Sequence, residues 1–242
     1  EAGTTAVGWQ AAATGTRAQA FGHLAAASGE RSLAVGEAAA ASGLTSVAIG
    51  NQAVASDEDA VALGDLAVAS GFHSTSVGAE STATGAGDTA LGWQAAATGG
   101  QSTATGRQAS ASGFQSSAYG QSSFASGDGA VAVGFAANAT AGDAIAMGSA
   151  ASATGGSGVA IGLNSAATGT TTVSIGAASS ASGLDAVAMG NGATASDEDA
   201  LAIGQTALAS GFHSTSVGAE SQATGAGDTA LGWQAAATGG QS

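Results

Sequence analysis

The chain has 242 residues with no cysteine and no proline, and its aromatic residues are three Trp, one Tyr and six Phe. Without cysteine it has no disulfide framework, so the redox state of its compartment is left open. With so few large side chains, an Ala-rich sequence cannot fill a large globular core. Oligomerisation is the usual remedy for a thin core, and homo-oligomers are normally closed and symmetric.

Positive charge is equally scarce, because three Lys and Arg stand against 17 Asp and Glu, giving a formal net charge of −14. Nucleic acid is therefore not expected as a partner, since phosphate binding needs clustered Lys and Arg. No apolar run approaches the roughly 20 residues of a membrane span, so no contact with a membrane is expected for this segment. No signal peptide is visible, and both ends fall inside repeats, which predicts a fragment of a longer protein.

The sequence does have a glycine at every fourteenth position, in 17 consecutive repeats from Gly8 to Gly232. Such strict self-similarity indicates one small structural unit stacked on itself. We number each repeat from this glycine as +0, with negative numbers for the residues before it. Position +5 is always Ala, +3 is Ala or Ser, +6 is Ser or Thr, and +7 is Gly in 14 repeats, with Asp57, Ala141 and Asp197 as exceptions.

The residues around these glycines alternate with a period of two, as strands do. The stretch Val47-Ala48-Ile49 is one example and Ala53-Val54-Ala55 is another. A glycine about every seven residues excludes a helix, because each would cost about 1 kcal/mol there. The pattern predicts an all-β coil of two short strands joined by two glycine corners where φ is positive. Asp57 and Asp197 are predicted to adopt the same left-handed geometry as the glycines that they replace.

The columns of the repeat also predict which residues face inward. We expect the Ala residues at +3 and +5 to point into the coil, opposed by residues of the Val47 and Ile49 type. The intervening Ala or Ser, such as Ala48, would then face outward and pack tightly against another chain. Positions +1, +2, +4, +8 and +9 vary widely and are predicted to face solvent or a partner.

A longer repeat is superimposed on the short one, because residues 51–102 recur as 191–242 with eight differences. The offset keeps the 14-residue register, so the added block lengthens the stack without disturbing it. Strands stack about 4.8 Å apart, so 17 coils predict a rod on the order of 80 Å. Such growth suits a projecting structure better than an enzyme, whose site needs one fixed geometry.

Residues that could carry chemistry are better explained as structural or solvent-exposed. His23, His73 and His213 have no Cys or second His nearby, as a metal or catalytic site would require, and are predicted to be exposed corners. The abundant Ser and Thr lie in no GxSxG elbow, and the Gly-rich stretches lack the Lys of a phosphate loop. The sequence predicts no enzyme activity, no cofactor and no bound metal.

Two sets of corner residues are candidates for an adhesive surface. Exposed aromatic residues can anchor a partner, although they can equally pack on a neighbouring coil or chain. Acidic corners could attract Ca²⁺, but they lack the spacing of an EF-hand and are expected to be solvated. The candidates are Trp9, Trp93, Trp233 and Phe135 in the +1 column, and the acidic runs Asp57, Glu58, Asp59 and Asp197, Glu198, Asp199.

The repeat resembles the head motif NSVAIGxxSxAxG of YadA-like trimeric autotransporter adhesins. The similar stretches are residues 46–56, 158–169 and 172–183, and the best-matching motif residues are Val47, Ala48, Ile49, Gly50, Val159, Ala160, Ile161, Gly162 and Ser165. The resemblance implies a left-handed parallel β-roll (a β-solenoid) with 14-residue coils, assembled as a homotrimer. Residues 1–242 would form a single head of about 17 coils.

The same resemblance implies a virulence-related adhesin on the bacterial cell surface, anchored in the outer membrane by a C-terminal region beyond this fragment. Its partner would be a host extracellular-matrix protein or cell-surface receptor. The leading Asn of the motif falls at +9, where this sequence never has Asn, so the resemblance supports adhesion rather than collagen binding in particular.

Two other hypotheses remain open. A passive spacer could project a binding domain located elsewhere, and a binding screen with no positive result would favour it. An ice-binding solenoid would need a flat, regular array of Thr. The +6 column instead mixes Ser with Thr, and +4 includes Phe124, Asn138 and Gln222. A measurement of thermal hysteresis would test this third hypothesis.

Overall fold

The computed structural model describes residues 3–240. The chain divides into two compact units, Glu1–Ser122 and Ser123–Ser242. Each unit is a parallel β-solenoid in which every 14-residue coil contributes one strand of three residues and one of two. Within residues 3–240 the chain forms no helix with the length and apolarity needed to cross a bilayer.

The strands of the first unit alternate in length along the chain. Its three-residue strands are β1 (Thr5–Val7), β3 (Gln19–Phe21), β5 (Leu33–Val35), β7 (Val47–Ile49), β9 (Val61–Leu63), β11 (Thr75–Val77), β13 (Thr89–Leu91), β15 (Thr103–Thr105) and β17 (Ser117–Tyr119). Its two-residue strands are β2 (Ala12–Ala13), β4 (Ala26–Ala27), β6 (Ala40–Ala41), β8 (Val54–Ala55), β10 (Val68–Ala69), β12 (Thr82–Ala83), β14 (Ala96–Ala97) and β16 (Ser110–Ala111).

The second unit repeats this arrangement. Its three-residue strands are β19 (Val131–Val133), β21 (Ile145–Met147), β23 (Val159–Ile161), β25 (Val173–Ile175), β27 (Val187–Met189), β29 (Leu201–Ile203), β31 (Thr215–Val217) and β33 (Thr229–Leu231). Its two-residue strands are β18 (Phe124–Ala125), β20 (Asn138–Ala139), β22 (Ser152–Ala153), β24 (Ala166–Ala167), β26 (Ser180–Ala181), β28 (Thr194–Ala195), β30 (Leu208–Ala209), β32 (Gln222–Ala223) and β34 (Ala236–Ala237).

Within each unit, strands of equal length pair in parallel with a register of one repeat. Ala48 in β7 lies opposite Ala62 in β9, and Val54 in β8 lies opposite Val68 in β10. Residues 14 apart in sequence therefore become neighbours, and each column of the repeat becomes a row along the sheet.

The core is built almost entirely of small side chains at positions −4, −2, +3 and +5. The predicted inward orientation of the Ala residues at +3 and +5 is confirmed, since Ala53 and Ala55 are fully buried. Among the described residues, the largest fully buried side chains are only Thr172, Asp88 and Asp228. The interior columns −2, +3 and +5, which hold only Ala and Ser, are therefore too narrow for branched aliphatic side chains.

The prediction for the other face of the coil is wrong. Ala48 is 0% exposed and points inward, whereas Ile49 is 38% exposed and Val47 is half-buried. The Ala or Ser at −2 consequently does not face another chain. Because the two sheets of a coil approach closely enough to enclose only small side chains, the period-2 alternation places the bulky residues outside.

Most coils close with two hydrogen-bonded turns, from +0 to +3 and from +7 to +10. The Ala53 N–H donates to the Gly50 carbonyl at 3.4 Å, and the Ala60 N–H donates to the Asp57 carbonyl at 3.2 Å. The third residue of each turn, at +2 or +9, is left-handed, as in Gln52 (φ 55°) and Asp59 (φ 53°). The variable positions +1, +2, +8 and +9 are thus the central residues of the turns.

Positions +0 and +7 require glycine for different physical reasons. Gly50 has φ 142°, and a Cβ there would lie 2.1 Å from the carbonyl oxygen of Gly64. Gly43, at +7, does not have positive φ, but its Cβ would lie 1.8 Å from the carbonyl oxygen of Asp57. Position +7 therefore selects glycine only for the close approach of successive coils.

Asp57 and Asp197, which replace glycine at +7, were also predicted to be left-handed. This prediction is wrong, because position +7 does not have positive φ. Neither residue has positive φ; the left-handed residue of each turn is Asp59 or Asp199, two positions later. Asp57 instead accepts a hydrogen bond at its Oδ1 from the Glu58 N–H at 2.8 Å. A short acidic side chain suits this position because it can bond to the next backbone N–H in the turn.

Candidate functional site

The aromatic candidates in the +1 column lie at the surface, in the first turn of their coils. Trp93, with coils on both sides, is 41% exposed, and Trp9 and Trp233, in the first and last repeats, are 63% and 71% exposed; Phe135 is also exposed. Trp9 stacks on His23 of the next coil, with ring centroids 4.8 Å apart and an angle of 15° between the planes. These rings therefore keep a large area available to a partner.

Contacts between successive coils hold several of these side chains in place. The Arg107 guanidinium lies 5.9 Å from the centroid of the Trp93 ring, in the range of a cation–π contact. Nδ1 of His23 lies 3.5 Å from Oε1 of Glu37. Neighbouring coils place residues of the same column side by side. Contacts between these residues therefore hold aromatic and charged side chains of the +1 column in the first unit.

The +2 column carries amide and carboxylate side chains joined in the same way. Nε2 of Gln94 donates to Oε2 of Glu80 at 2.7 Å, and Nε2 of Gln108 donates to Oε1 of Gln94 at 3.0 Å. Gln234 and Glu220 form the equivalent bond in the second unit at 2.8 Å. These bonds leave further donors and acceptors at the surface for a polar partner.

A groove in the second unit runs over part of this polar column. It encloses about 450 Å³, and its lining is mainly polar, formed by Thr206, Glu220, Gln222, Gln234, Ala235 and Ala236. Its carboxylate, from Glu220, is already hydrogen-bonded to Gln234. The arrangement offers hydrogen bonding to a ligand.

The acidic candidates lie in the second turn of their coils, where the carboxylates have different partners. Oδ1 of Asp57 bonds to its own turn. Asp59 accepts a hydrogen bond from Thr45 in the preceding coil and lies 3.4 Å from Nε2 of His73 in the following coil. The three carboxylates of this run therefore do not converge on one point.

In the second unit, the corresponding run brings three different groups together. Oδ2 of Asp199 lies 3.2 Å from Nε2 of His213, and one ligand atom from each of Glu198, Asp199 and His213 lies within 4.8 Å of the others. The imidazole stacks on Phe212 with ring centroids 3.8 Å apart. His213 is exposed, as predicted, but its carboxylate neighbours were not predicted from the sequence. The signal was available, because Asp199 and His213 share the +9 column one repeat apart.

The residues of the family motif build the coil. Val47, Ala48 and Ile49 form β7, Val159, Ala160 and Ile161 form β23, and Gly50 and Gly162 follow these strands with positive φ. Ser165 is buried, and its Oγ donates to the Gly162 carbonyl at 3.0 Å. The motif therefore marks the architecture, and the variable turns are left to carry binding.

Buried carboxylates are a further feature that was not predicted from the sequence. Asp88 and Asp228 are 0% exposed, in the interior column at −4. Asp88 accepts hydrogen bonds from the Gly85 N–H at 2.6 Å and from the N–H and Oγ of Ser102, both at 2.8 Å. Because backbone and hydroxyl donors surround it, this carboxylate is a structural element of the coil.

The outside of the three-residue strands forms an exposed apolar surface in each unit. We call positions −1 and −3 of these strands the outer apolar face. In the first unit it exposes Ile49, Leu91 and Tyr119, and in the second unit Met147, Met189 and Leu231. Exposed apolar rows of this kind are typical of surfaces that contact another molecule.

Comparison with known proteins supplies the family. A search of curated proteins found no match. The family described as "YadA head domain repeat (2 copies)" matches residues 2–25, 13–39, 41–67, 69–95, 97–123, 111–137, 125–151, 139–165, 167–193, 181–207 and 209–242. These matches cover nearly the whole chain and follow the 14-residue coils seen in the structure. The chain belongs to the YadA head domain repeat family.

Proposed function

We propose that this chain is the head of a trimeric autotransporter adhesin that binds a host cell-surface receptor or an extracellular-matrix protein. Membership of the family supports this function, because its head repeats and the β-solenoid fold are typically structural or adhesive. In this proposal the head is a left-handed roll displayed on the bacterial surface, and a C-terminal region outside these residues anchors it in the outer membrane.

Three copies would associate through the outer apolar face. Fully burying an Ile or Leu side chain stabilises an assembly by about 1.5–3 kcal/mol, and about half of the coils place Ile or Leu at −1 or −3 of this face. The core of the coils is made almost entirely of Ala and Ser and offers little hydrophobic stabilisation by itself. Covering the outer face with two further copies supplies the missing burial, with closed symmetry that prevents open-ended growth.

The first turns of the coils, which carry the Trp residues at +1, would form the adhesive surface. The observation that carries this part of the proposal is the exposure of Trp9, Trp93 and Trp233 in turns that tolerate variable sequence. Tryptophan is among the residues that contribute most to binding energy at interfaces. Three copies per head and many heads per cell would turn a weak single contact into strong attachment.

A binding assay with matched variants tests the adhesive function. The folded protein is applied to immobilised matrix proteins and to host cells, and a variant with Trp9→Ser, Trp93→Ser and Trp233→Ser is compared with Phe114→Ser. We expect the triple variant to bind at least about tenfold more weakly, since each lost anchor costs more than about 1 kcal/mol.

Phe114 is the control because it is an exposed aromatic residue in a second turn, outside the proposed surface. Equal binding by the triple variant and the control would contradict the role of the Trp residues. A correctly assembled head that binds no matrix protein and no host cell would favour the passive spacer.

A further inference from the structure

We infer that Glu198, Asp199 and His213 form a binding site for a divalent transition-metal ion, with Zn²⁺ as the reference ion. The two carboxylates and the imidazole approach within 4.8 Å of one another. This inference goes beyond the adhesive function and does not depend on it.

The closest pair of ligand atoms has a spacing that is compatible with a shared metal ion. Metal–ligand bonds of about 2.0–2.2 Å in a tetrahedral zinc site place neighbouring ligand atoms roughly 3.4 Å apart. The distance from Nε2 of His213 to Oδ2 of Asp199 is 3.2 Å, close to this value and at the long limit of an N–H···O bond. The exposed Glu198 carboxylate, within 4.8 Å of the other two groups, would supply the third ligand after a small side-chain rotation, which leaves a fourth position for water.

The chemistry of the ligands selects the kind of ion. An imidazole nitrogen suits zinc, copper and nickel, whereas calcium and magnesium prefer sites made entirely of oxygen. Stacking on Phe212 fixes the plane of the imidazole, so the ring loses less freedom when it binds a metal. All three ligands are exposed, so an ion can reach the site directly from solvent.

Charge balance provides a second, independent argument. Residues 123–242 contain eight Asp and Glu, no Lys or Arg, and His213 as their single histidine. No side chain with a permanent positive charge is therefore available in this part of the sequence to neutralise Asp197, Glu198 and Asp199. A bound dication would offset the repulsion among these carboxylates.

The first unit contains a natural comparison. His73 stacks on Phe72 and lies 3.4 Å from Asp59, so the His–Asp pair is nearly the same. Within residues 3–240, however, the one group of three ligands that converges is Glu198, Asp199 and His213, and Glu58 does not complete such a group. The site in the second unit should therefore bind the metal more tightly.

Zn²⁺ titration of the full chain by calorimetry tests the inference. We expect one strongest site per chain, weakened at least about tenfold by His213→Asn and by Glu198→Gln, since each removes a ligand. Asn tolerates the left-handed backbone of residue 213 (φ 55°), so the fold should be retained and circular dichroism should be unchanged. His73→Asn and His23→Asn are the controls and should leave the strongest site unchanged.

Several results would overturn the inference. Unchanged Zn²⁺ affinity in His213→Asn or in Glu198→Gln would exclude the three-ligand site. A loss in His73→Asn equal to that in His213→Asn would show that the His–Asp pair alone binds the ion. Binding of Ca²⁺ that equals binding of Zn²⁺ and is insensitive to His213→Asn would show only a general attraction to the acidic turn.

Discussion

At the residue scale, two independent constraints require glycine at +0, whereas only one requires it at +7. Gly50 combines a backbone conformation that L residues rarely adopt with a close approach to the next coil, whereas Gly43 has only the close approach. This difference explains why the +0 column is unbroken over 17 repeats while +7 admits Asp57, Ala141 and Asp197. A local shift between coils can relieve one constraint more readily than two.

Gly50→Ala should therefore be strongly destabilising. We expect it to lower the free energy of unfolding by roughly 2–5 kcal/mol, from backbone strain together with a clash against the Gly64 carbonyl. Gly142→Ala is the control, because residue 142 has no positive φ and a Cβ there has no neighbour closer than 3.9 Å. Denaturant unfolding of both variants at equal protein concentration measures the difference, and similar losses would contradict the explanation.

The buried carboxylate Asp88 gives a second residue-scale prediction. Ser102→Ala removes one of its three donors, and we expect a loss of about 1–3 kcal/mol because a buried acceptor loses a partner. Ser116→Ala is an exact counterpart in the same interior column, but Oγ of Ser116 has no hydrogen-bond partner. That variant should be neutral or slightly stabilising in thermal unfolding. A larger loss from Ser116→Ala than from Ser102→Ala would refute this account of the interior.

At the scale of the strand, side-chain volume decides which face is inside. The two-residue strand β6 contains both environments in adjacent residues, since Ala40 is half-buried on the outside and Ala41 is fully buried. Val54 already occupies the outward position of Ala40 in the next coil. The same substitution at two neighbouring residues therefore separates the narrow interior from the permissive exterior.

Ala41→Val should cost about 1–3 kcal/mol, because two extra methyl groups do not fit the interior without shifting the backbone. Ala40→Val should change the free energy of unfolding by less than about 0.5 kcal/mol, as substitutions away from the core usually do. Chemical denaturation followed by circular dichroism measures both values. Equal changes in the free energy of unfolding for the two variants would contradict the narrow interior seen in the structure.

The elements that the sequence predicted are those that depend on periodicity. The 14-residue coil, the two strands, the turns and the inward Ala at +3 and +5 all follow from which columns vary and which do not. The face of the first strand was predicted wrongly because alternation identifies two faces without saying which is inside. The restriction of −2 to Ala and Ser was the informative signal, since it matches the restriction at +3 and marks a narrow interior.

The candidate site was predicted less completely than the fold. The exposure of Trp9, Trp93 and Trp233 follows from their place in a variable column. The approach of His213 to Asp199 follows from their shared column once the register is known. The participation of Glu198 depends on side-chain orientation in the turn, which periodicity does not determine.

At the scale of the whole molecule, the outer apolar face is the feature that a single chain leaves unexplained. Ile49→Lys should disrupt the association of the three copies, because it would bury a charge between them at a cost of several kcal/mol. Leu44→Lys is the control, since Leu44 is similarly exposed but lies in a turn outside this face. We expect Ile49→Lys to shift the protein toward monomer and Leu44→Lys to leave its mass unchanged. Light scattering during gel filtration distinguishes the two outcomes.

The mass of the unmodified chain in solution tests the proposed head assembly most directly. Each chain has a mass of 22.1 kDa, so the trimer should sediment at about three times that value, with the β-sheet signal of a folded protein. Sedimentation equilibrium at several concentrations gives the mass without a reference standard. A stable trimer is the expected result, and a folded monomer of 22.1 kDa at all concentrations would contradict the account.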